Sequence, residues 1–278
     1  MKDTKKVLSV QDVSCLGQCS NTVALPILAA AGLETVMLPT ALLSTHTGGF
    51  QGYSFLDLTE EMEKILLHLS TLPWRFDYLY TGYFGSSEQI SILQRYLPGV
   101  LAPRAMRIID PVMGDEGRLY SIYDHTYVRH MRRLCEGADV ITPNLTEACL
   151  LADLPYVGPR YDAVLYETLL ARLHELGARR VLLTGVLFDE QTIGVLGHEE
   201  GLAPFRATSP YVNRHFHGTG DVFTGSLIGF LGRGLSFEEA SARAVRFVSD
   251  CIADTVPVMD THWYGLRFEG RLDALTKQ

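Results

Sequence analysis

Residues 217–225 read His-Gly-Thr-Gly-Asp-Val-Phe-Thr-Gly and run on into an apolar stretch that ends near Leu231. Gly218, Thr219 and Gly220 can turn sharply and aim successive backbone N–H groups outward at the start of a helix, which makes an anion site. Asp221 then falls in the first turn, where a carboxylate suits the helix dipole and could act as a base beside the bound anion. The plainer alternative makes Asp221 a helix cap and the glycines a turn. A dinucleotide fingerprint is excluded, because the third glycine is missing at its required offset and no strand leads directly into the turn.

Two acidic groups stand elsewhere in the chain. Asp110, Asp115 and Glu116 follow a predicted strand in "DPVMGDEG", and carboxylates clustered there suit a magnesium ion bridging phosphates, since that ion prefers oxygen ligands. In "ITPNLTEACLL", Pro143 and Asn144 open a predicted helix and Glu147 lies one turn inside, facing the same mouth. Asn144 with Glu147 three residues on also fits a capping box. Lysine occurs only at positions 2, 5, 6, 64 and 277, so a Walker loop is impossible and any phosphate must be held by backbone amides and metal.

The elements that must carry these groups can be read from hydrophobic period. Short apolar runs, "KVLSV", "VMLPT", "FDYLYTG", "MRIID" and "ADVIT", alternate with segments of helical period at 21–31, 56–70, 86–97, 122–135 and 144–151. That alternation predicts parallel strands with crossover helices, covered on both faces. A helix at about 162–176 precedes "RRVLLTG", "QTIGVLG" and "LAPFRAT", which have no helices between them and read as consecutive or antiparallel edge strands. Helices at about 219–232 and 236–254 complete the body. No linker, repeat or charge block marks a boundary, so residues 1–278 are read as one α/β domain. Ligands of such sheets bind beyond the carboxyl ends of the strands, which is where the unusual loops fall.

The 278 residues are 47% hydrophobic with a net charge of −8, enough for a large core and unsuited to nucleic acid or an anionic membrane surface. No run approaches a spanning helix and the start lacks the apolar core of a signal peptide, so a cytoplasmic protein is expected. The five cysteines are odd in number and scattered, against a disulfide framework, and the Cys15/Cys19 spacing lies outside the usual zinc sets.

In this order, "DPVMGDEGRLY", "ITPNLTEA", "LLTG" and "HGTGDVFTG" resemble the ribokinase-like kinases, and "LSTHTGGFQGY" with "YTGYFG" narrows the resemblance to pyridoxal/pyridoxamine kinases over about residues 5–255. It implies a ribokinase-like three-layer sandwich with a mostly parallel sheet, which uses ATP and Mg²⁺ to phosphorylate the 5′-hydroxymethyl group of a vitamin B6 vitamer. By the resemblance, Asp221 is the base, and Gly218, Thr219 and Gly220 form the anion hole. Asp110, Asp115 and Glu147 correspond to the acidic positions around metal and nucleotide phosphates, with Asn144, Thr184 and Thr219 on the nucleotide side. Asp110, Thr142 and Thr184 fall where relatives hold an activating K⁺. Thr45, His46 and Thr47 correspond to the loop that approaches the ring, and Tyr83 to an aromatic beside it; a homodimer is also implied. Typical members carry a serine where this chain has Asp12, and hydroxymethylpyrimidine kinases place an aspartate in a comparable loop, so phosphorylation of that pyrimidine is the alternative. From other classes stand a silent vitamer- or nucleotide-binding protein and, more weakly, a nicotinamide oxidoreductase. The tail "THWYGLRFEG" has no assigned role, and Trp263 and Tyr264 are read as packing.

Overall fold

The computed structural model describes residues 4–160 and 162–276. In chain order the elements are β1 (Lys6–Leu16), α1 (Asn21–Ala30), β2 (Glu34–Thr45), β3 (Phe55–Asp57), α2 (Thr59–Thr71), β4 (Phe76–Thr81), α3 (Ser87–Val100), β5 (Leu101–Ile109), β6 (Gly114–Asp115) and β7 (Arg118–Leu119). There follow α4 (His125–Cys135), β8 (Val140–Ile141), α5 (Leu145–Ala152), α6 (Ala163–Glu175), β9 (Arg180–Leu187), β10 (Thr192–Glu199), β11 (Phe205–Pro210), α7 (Thr219–Gly232) and α8 (Phe237–Thr255). Nine strands form one sheet in the order β11-β10-β9-β8-β5-β4-β1-β2-β3. The block β9-β8-β5-β4-β1-β2 is parallel, and β3 and β10 run antiparallel to their neighbours.

Alternation along the strands divides the core into two. Leu8, Val10, Leu79, Ile109, Ile141, Val181 and Leu183 point into a cluster with side chains of α2 to α6. Their neighbours Val7, Tyr78, Tyr80, Ile108, Val140 and Leu182 point to the other side, against α1, α7 and α8. A period of two along each strand thus makes three layers. Each apolar side chain of this kind is worth roughly 1.5–3 kcal/mol when fully buried.

The structure departs from the sequence reading at several joints that matter for the site. β1 does not stop at Val10: it steps over an irregularity between Gln11 and Val13 and keeps pairing with β2 as far as Leu16 and Thr45. Asp12 is therefore a strand residue, and "LLST" belongs to β2. The pairing was hard to read because Gln11, Asp12 and Ser14 are polar residues buried inside the sheet. The expected helix at 56–70 starts later, at Thr59, because Phe55–Asp57 pair antiparallel with β2 and the Asp57 carboxylate accepts from the Thr59 N–H. A two-stranded hairpin, β6 with β7, also occupies "GDEGRL", turned by Glu116 at φ 50°.

Candidate active site

α7 begins on Gly218, which is left-handed at φ 75° and ψ 8°. A Cβ at this position would lie 2.0 Å from the Gln18 carbonyl oxygen, so the turn admits glycine alone. Val222 makes the first helical bond, to the Gly218 carbonyl, and the amides before it are the orphan donors of a helix start. Asp221 sits half-buried in this first turn. Burial pushes its carboxyl up to about 7, the nearby Asp12 charge adds to the rise, and the Ser20 backbone N–H pulls the other way. Ser20 holds φ 55°, a conformation that costs a non-glycine residue on the order of 1–3 kcal/mol and is tolerated where the surroundings demand it.

Asp12 lies near enough to Asp221 for its charge to act on it. Asp12 is buried, accepts a hydrogen bond from the Ser14 hydroxyl at 3.0 Å, and has its carboxyl raised by burial. Tyr83, half-buried after β4, has its phenol pushed up to about 12 by burial and then by the Asp12 charge, which places ring and carboxylate in one environment. Its backbone is fixed from two sides: the Thr40 hydroxyl donates to the Tyr83 carbonyl, and the Tyr123 hydroxyl donates to the next carbonyl, of Phe84. Thr45 has a buried hydroxyl with no partner, and Thr47 is exposed.

His46, in the loop expected to approach the ring, is tied into the chain at both ring nitrogens. Its Nδ1 accepts from the Gly48 N–H at 3.1 Å and its Nε2 meets the Tyr264 carbonyl at 2.9 Å. Both ring nitrogens are thus spent inside the chain, and His46 anchors its loop instead of offering a nitrogen to a ligand. His217, next to the anion turn, is pushed down to about 4 by burial and by His215 and His46. It is neutral at pH 7.

On the opposite side of Asp221, Asp110 ends β5 with its carboxyl buried, pushed well up by burial and by the charges of Glu147 and Asp221, and hydrogen-bonded by Thr142 and Thr224. The Thr142 and Thr224 hydroxyls are 3.3 Å apart. Asn144 and Glu147 form a capping box on α5: Glu147 Oε2 accepts from the Asn144 N–H at 2.9 Å, and the Asn144 side chain accepts from Glu147 N–H. The capping alternative is therefore realised. Glu147 does more than cap, since its other oxygen accepts from Met113 N–H at 3.1 Å while the Asn144 amide donates to Gly114 O, tying α5 to the hairpin. Burial pushes the Glu147 carboxyl up to about 8. Asp115 is exposed on that hairpin, and Thr184 on β9 is linked to this side through its N–H, which donates to the Pro143 carbonyl.

Comparison with known proteins follows the same lines. The family model for phosphomethylpyrimidine kinase matches residues 26–264. The chain belongs to that family. A putative phosphomethylpyrimidine kinase from Bacteroides thetaiotaomicron superposes with a TM-score of 0.95 at 38% identity, covering 100% of this chain and 96% of that one, and a second crystal form of it contains pyridoxal. Pyridoxal kinase from Lactobacillus plantarum gives a TM-score of 0.90 at 32% identity over 98% of this chain and 96% of its own. The pyridoxine/pyridoxal/pyridoxamine kinase of Bordetella avium is 29% identical over 269 residues, 90% of this chain and 85% of the relative. The kinase described here is thus of the pyridoxal kinase type, in the ribokinase-like superfamily, with ATP as the phosphoryl donor expected of that type.

Among the described residues of this kinase, no group of three or more His, Cys, Asp or Glu side chains closes on one point. The Glu147 charge nevertheless raises the proton affinity of Asp110, and the two carboxylates offer oxygen donors only, a set that fits a magnesium ion whose remaining ligands are phosphate oxygens and water. The five cysteines are unpaired, and Cys19 lies beside the anion turn with its thiol held well up by burial and by Asp221 and Asp12. Sequence reasoning missed Ser20 and Thr224. Thr224 stands three residues after Asp221 on the same helix face, and a hydroxyl at that spacing in an apolar run is the available signal; Ser20 carries none.

Proposed function

We propose that the protein transfers the γ-phosphoryl group of ATP to the 5′-hydroxymethyl group of pyridoxal, pyridoxamine or pyridoxine, as one kinase domain over the chain. The observation that carries this is Asp221: a carboxylate poised near neutrality, in the first turn of a helix whose leading amides have no helical partner, and near enough to Asp12 for the Asp12 charge to act on it. Asp221 takes the proton from the acceptor hydroxyl as that oxygen bonds to the γ-phosphorus, and the bond from phosphorus to the ADP oxygen breaks. The amides of Gly218, Thr219 and Gly220 stabilise the charge on the moving phosphoryl oxygens. Magnesium bound near Asp110 and Glu147 would neutralise phosphate charge, with Asn144 and Thr184 on the nucleotide side. A silent binding protein has no use for a base at this point.

The second reading, hydroxymethylpyrimidine as acceptor, is favoured by Asp12. An ionised carboxylate accepts hydrogen bonds and cannot donate them, so it selects an amine, a phenol or a protonated ring nitrogen, which both acceptor classes offer. The Bacteroides relative with pyridoxal supports the pyridine. In competition at equal concentrations, pyridoxal or pyridoxamine should show the higher kcat/KM, and Asp12→Ser should shift the ratio. A higher value for the pyrimidine would overturn the vitamer assignment and leave the kinase assignment standing; an unmoved ratio would put Asp12 outside the ring pocket.

For the cations, Glu147→Gln should raise the magnesium concentration needed for half-maximal rate, and K⁺ should stimulate more than Na⁺ through Asp110, Thr142 and Thr184. Asp115, exposed on its hairpin, should have the smaller effect when changed to Asn. Unchanged magnesium titrations in both variants would remove these carboxylates from the metal.

We place the protein in the cytoplasm as a homodimer. Its unpaired cysteines suit a reducing compartment, and no described helix is long and apolar enough to cross a membrane. At the β3 edge Leu42, Phe55 and Leu56 are 41–56% exposed, an apolar strip that a second copy would cover. Light scattering should give twice the 30.9 kDa of one chain; a monomer mass at micromolar concentration would contradict the pairing.

A further inference from the structure

The segment after α8 comes back across the mouth of the sheet and touches two loops at once. Tyr264 O accepts from the Gln18 N–H at 3.1 Å, and the His262 Nε2 lies 2.9 Å from the Gln18 side-chain oxygen. The same Tyr264 carbonyl meets His46 Nε2 at 2.9 Å. Because the Gly48 N–H donates to Nδ1 of that imidazole, Nδ1 carries no proton and Nε2–H is the donor to Tyr264. His46 is therefore a two-ended tie between the 46–50 loop and the C-terminal segment.

Aromatic contact reinforces the tie. The Phe50 and Trp263 ring centroids are 4.5 Å apart, and Phe50 also meets the His46 ring edge-on at 5.0 Å. Gly49 holds φ 80°, and a Cβ there would come within 2.8 Å of the Trp263 ring, so the indole lies directly on the loop backbone. Both loops end at the anion turn: the His217 ring lies over Gly48, and the Gln18 carbonyl abuts Gly218. Among the described residues, the segment's hydrogen bonds and ring contacts reach the Gln18 loop and the 46–50 loop but neither Asp110 nor the α5 cap.

We propose that His262–Gly265 is a strap that positions the acceptor side of the site, with Trp263 and the Tyr264 carbonyl acting through Phe50 and His46 as positioning residues. This rests on the reading of the 46–50 loop and Asp12 as the acceptor side. Trp263 is 37% exposed, so its removal opens no core cavity, and the effect should fall on the loop. A loop that must be ordered by the ligand binds it more weakly.

The test is a cycle of Trp263→Ala, Phe50→Ala and the double variant, with Trp263→Phe as the conservative control. Trp263→Ala should raise the KM for the acceptor about tenfold, the penalty of ordering a released loop, and leave the KM for ATP unchanged. Trp263→Phe should restore it, and the double variant should be no worse than the poorer single one, as for two halves of one contact. Hydrogen exchange of the 46–50 amides, measured without substrates, should speed up in Trp263→Ala while the α5 amides stay protected. Exchange that does not change, equal rises in both KM values, or additive single effects would each overturn the strap. If the wild type phosphorylates neither pyridoxal nor the pyrimidine, the acceptor reading fails by that result alone, and the exchange measurement still decides whether the strap holds the loop.

Discussion

Asp221→Asn should lower phosphoryl transfer about 10²-fold or more, the scale of a lost general base, with ATP affinity little changed. Asparagine keeps the shape at the head of α7 and removes only the basicity. The wild-type profile of kcat/KM should rise with pH through about 7, where the free carboxyl ionises, and that limb should vanish in the variant. Stability moves in the opposite sense. A carboxyl whose folded-state proton affinity is raised holds its proton in the fold while the unfolded chain has lost it. Its contribution to stability is therefore complete below about 4, the ordinary value for an aspartate, and is lost as pH rises through about 7. Asp221→Asn should accordingly melt at least as high as the wild type at pH 8. Near-normal turnover in the variant would reduce Asp221 to a cap; a lower melting point with lost activity would point to misfolding.

Gly218→Ala should be as damaging by another route. The new methyl group meets the Gln18 carbonyl, a backbone atom with no rotamer to escape into, and the residue must also hold φ 75°. Left-handed backbone costs about 1–2 kcal/mol for an L-residue, and relief of the clash has to move either the 17–20 loop or the amides that follow. Displacing such donors costs about 10²–10³ in rate elsewhere, and a loss in kcat of that order is expected with the acceptor and ATP still binding. Gly220→Ala is the matched control: a Cβ there has only the Asp110 Oδ2 at 3.8 Å, an ordinary contact. Equal losses in the two variants would mean that the flexibility of the turn, and not the shape of position 218, is what matters.

Much of this was legible before any coordinates. The apolar runs of β4, β5, β9 and β10 and the helical period of α7 and α8 are dictated by burial on both sheet faces, and period is what a sequence displays most openly. Glycines in "HGTG" ahead of an apolar helix revealed the anion turn for the same reason, that few other purposes need them there. The losses came where polar residues are buried within a strand. Gln11, Asp12 and Ser14 interrupt the pattern of β1, so a strand was cut short at the point where it enters the site. The internal use of both His46 nitrogens depends on Tyr264, 218 residues away, and no local pattern encodes it. Asn144 and Glu147 allowed either a cap or a phosphate-side role, and the fold places the box where one carboxylate joins a helix start to the β6–β7 hairpin.

The strap has a further consequence for how the molecule is made. Its contacts join positions 218 and 244 residues apart, among the widest separations in the chain. Closing so long a loop adds little to the equilibrium cost, which grows only with the logarithm of length, but contacts of high sequence separation slow folding. Synthesis proceeds from β1 onward, and domains take shape as they emerge. The sheet from β1 to β9 and the α2–α6 layer can assemble while the ribosome is still working, whereas the 46–50 loop has to wait for Trp263 and Tyr264 to tie it down. A nascent chain therefore passes through a stage at which the core cluster under α2–α6 is formed and its 46–50 loop is still untethered.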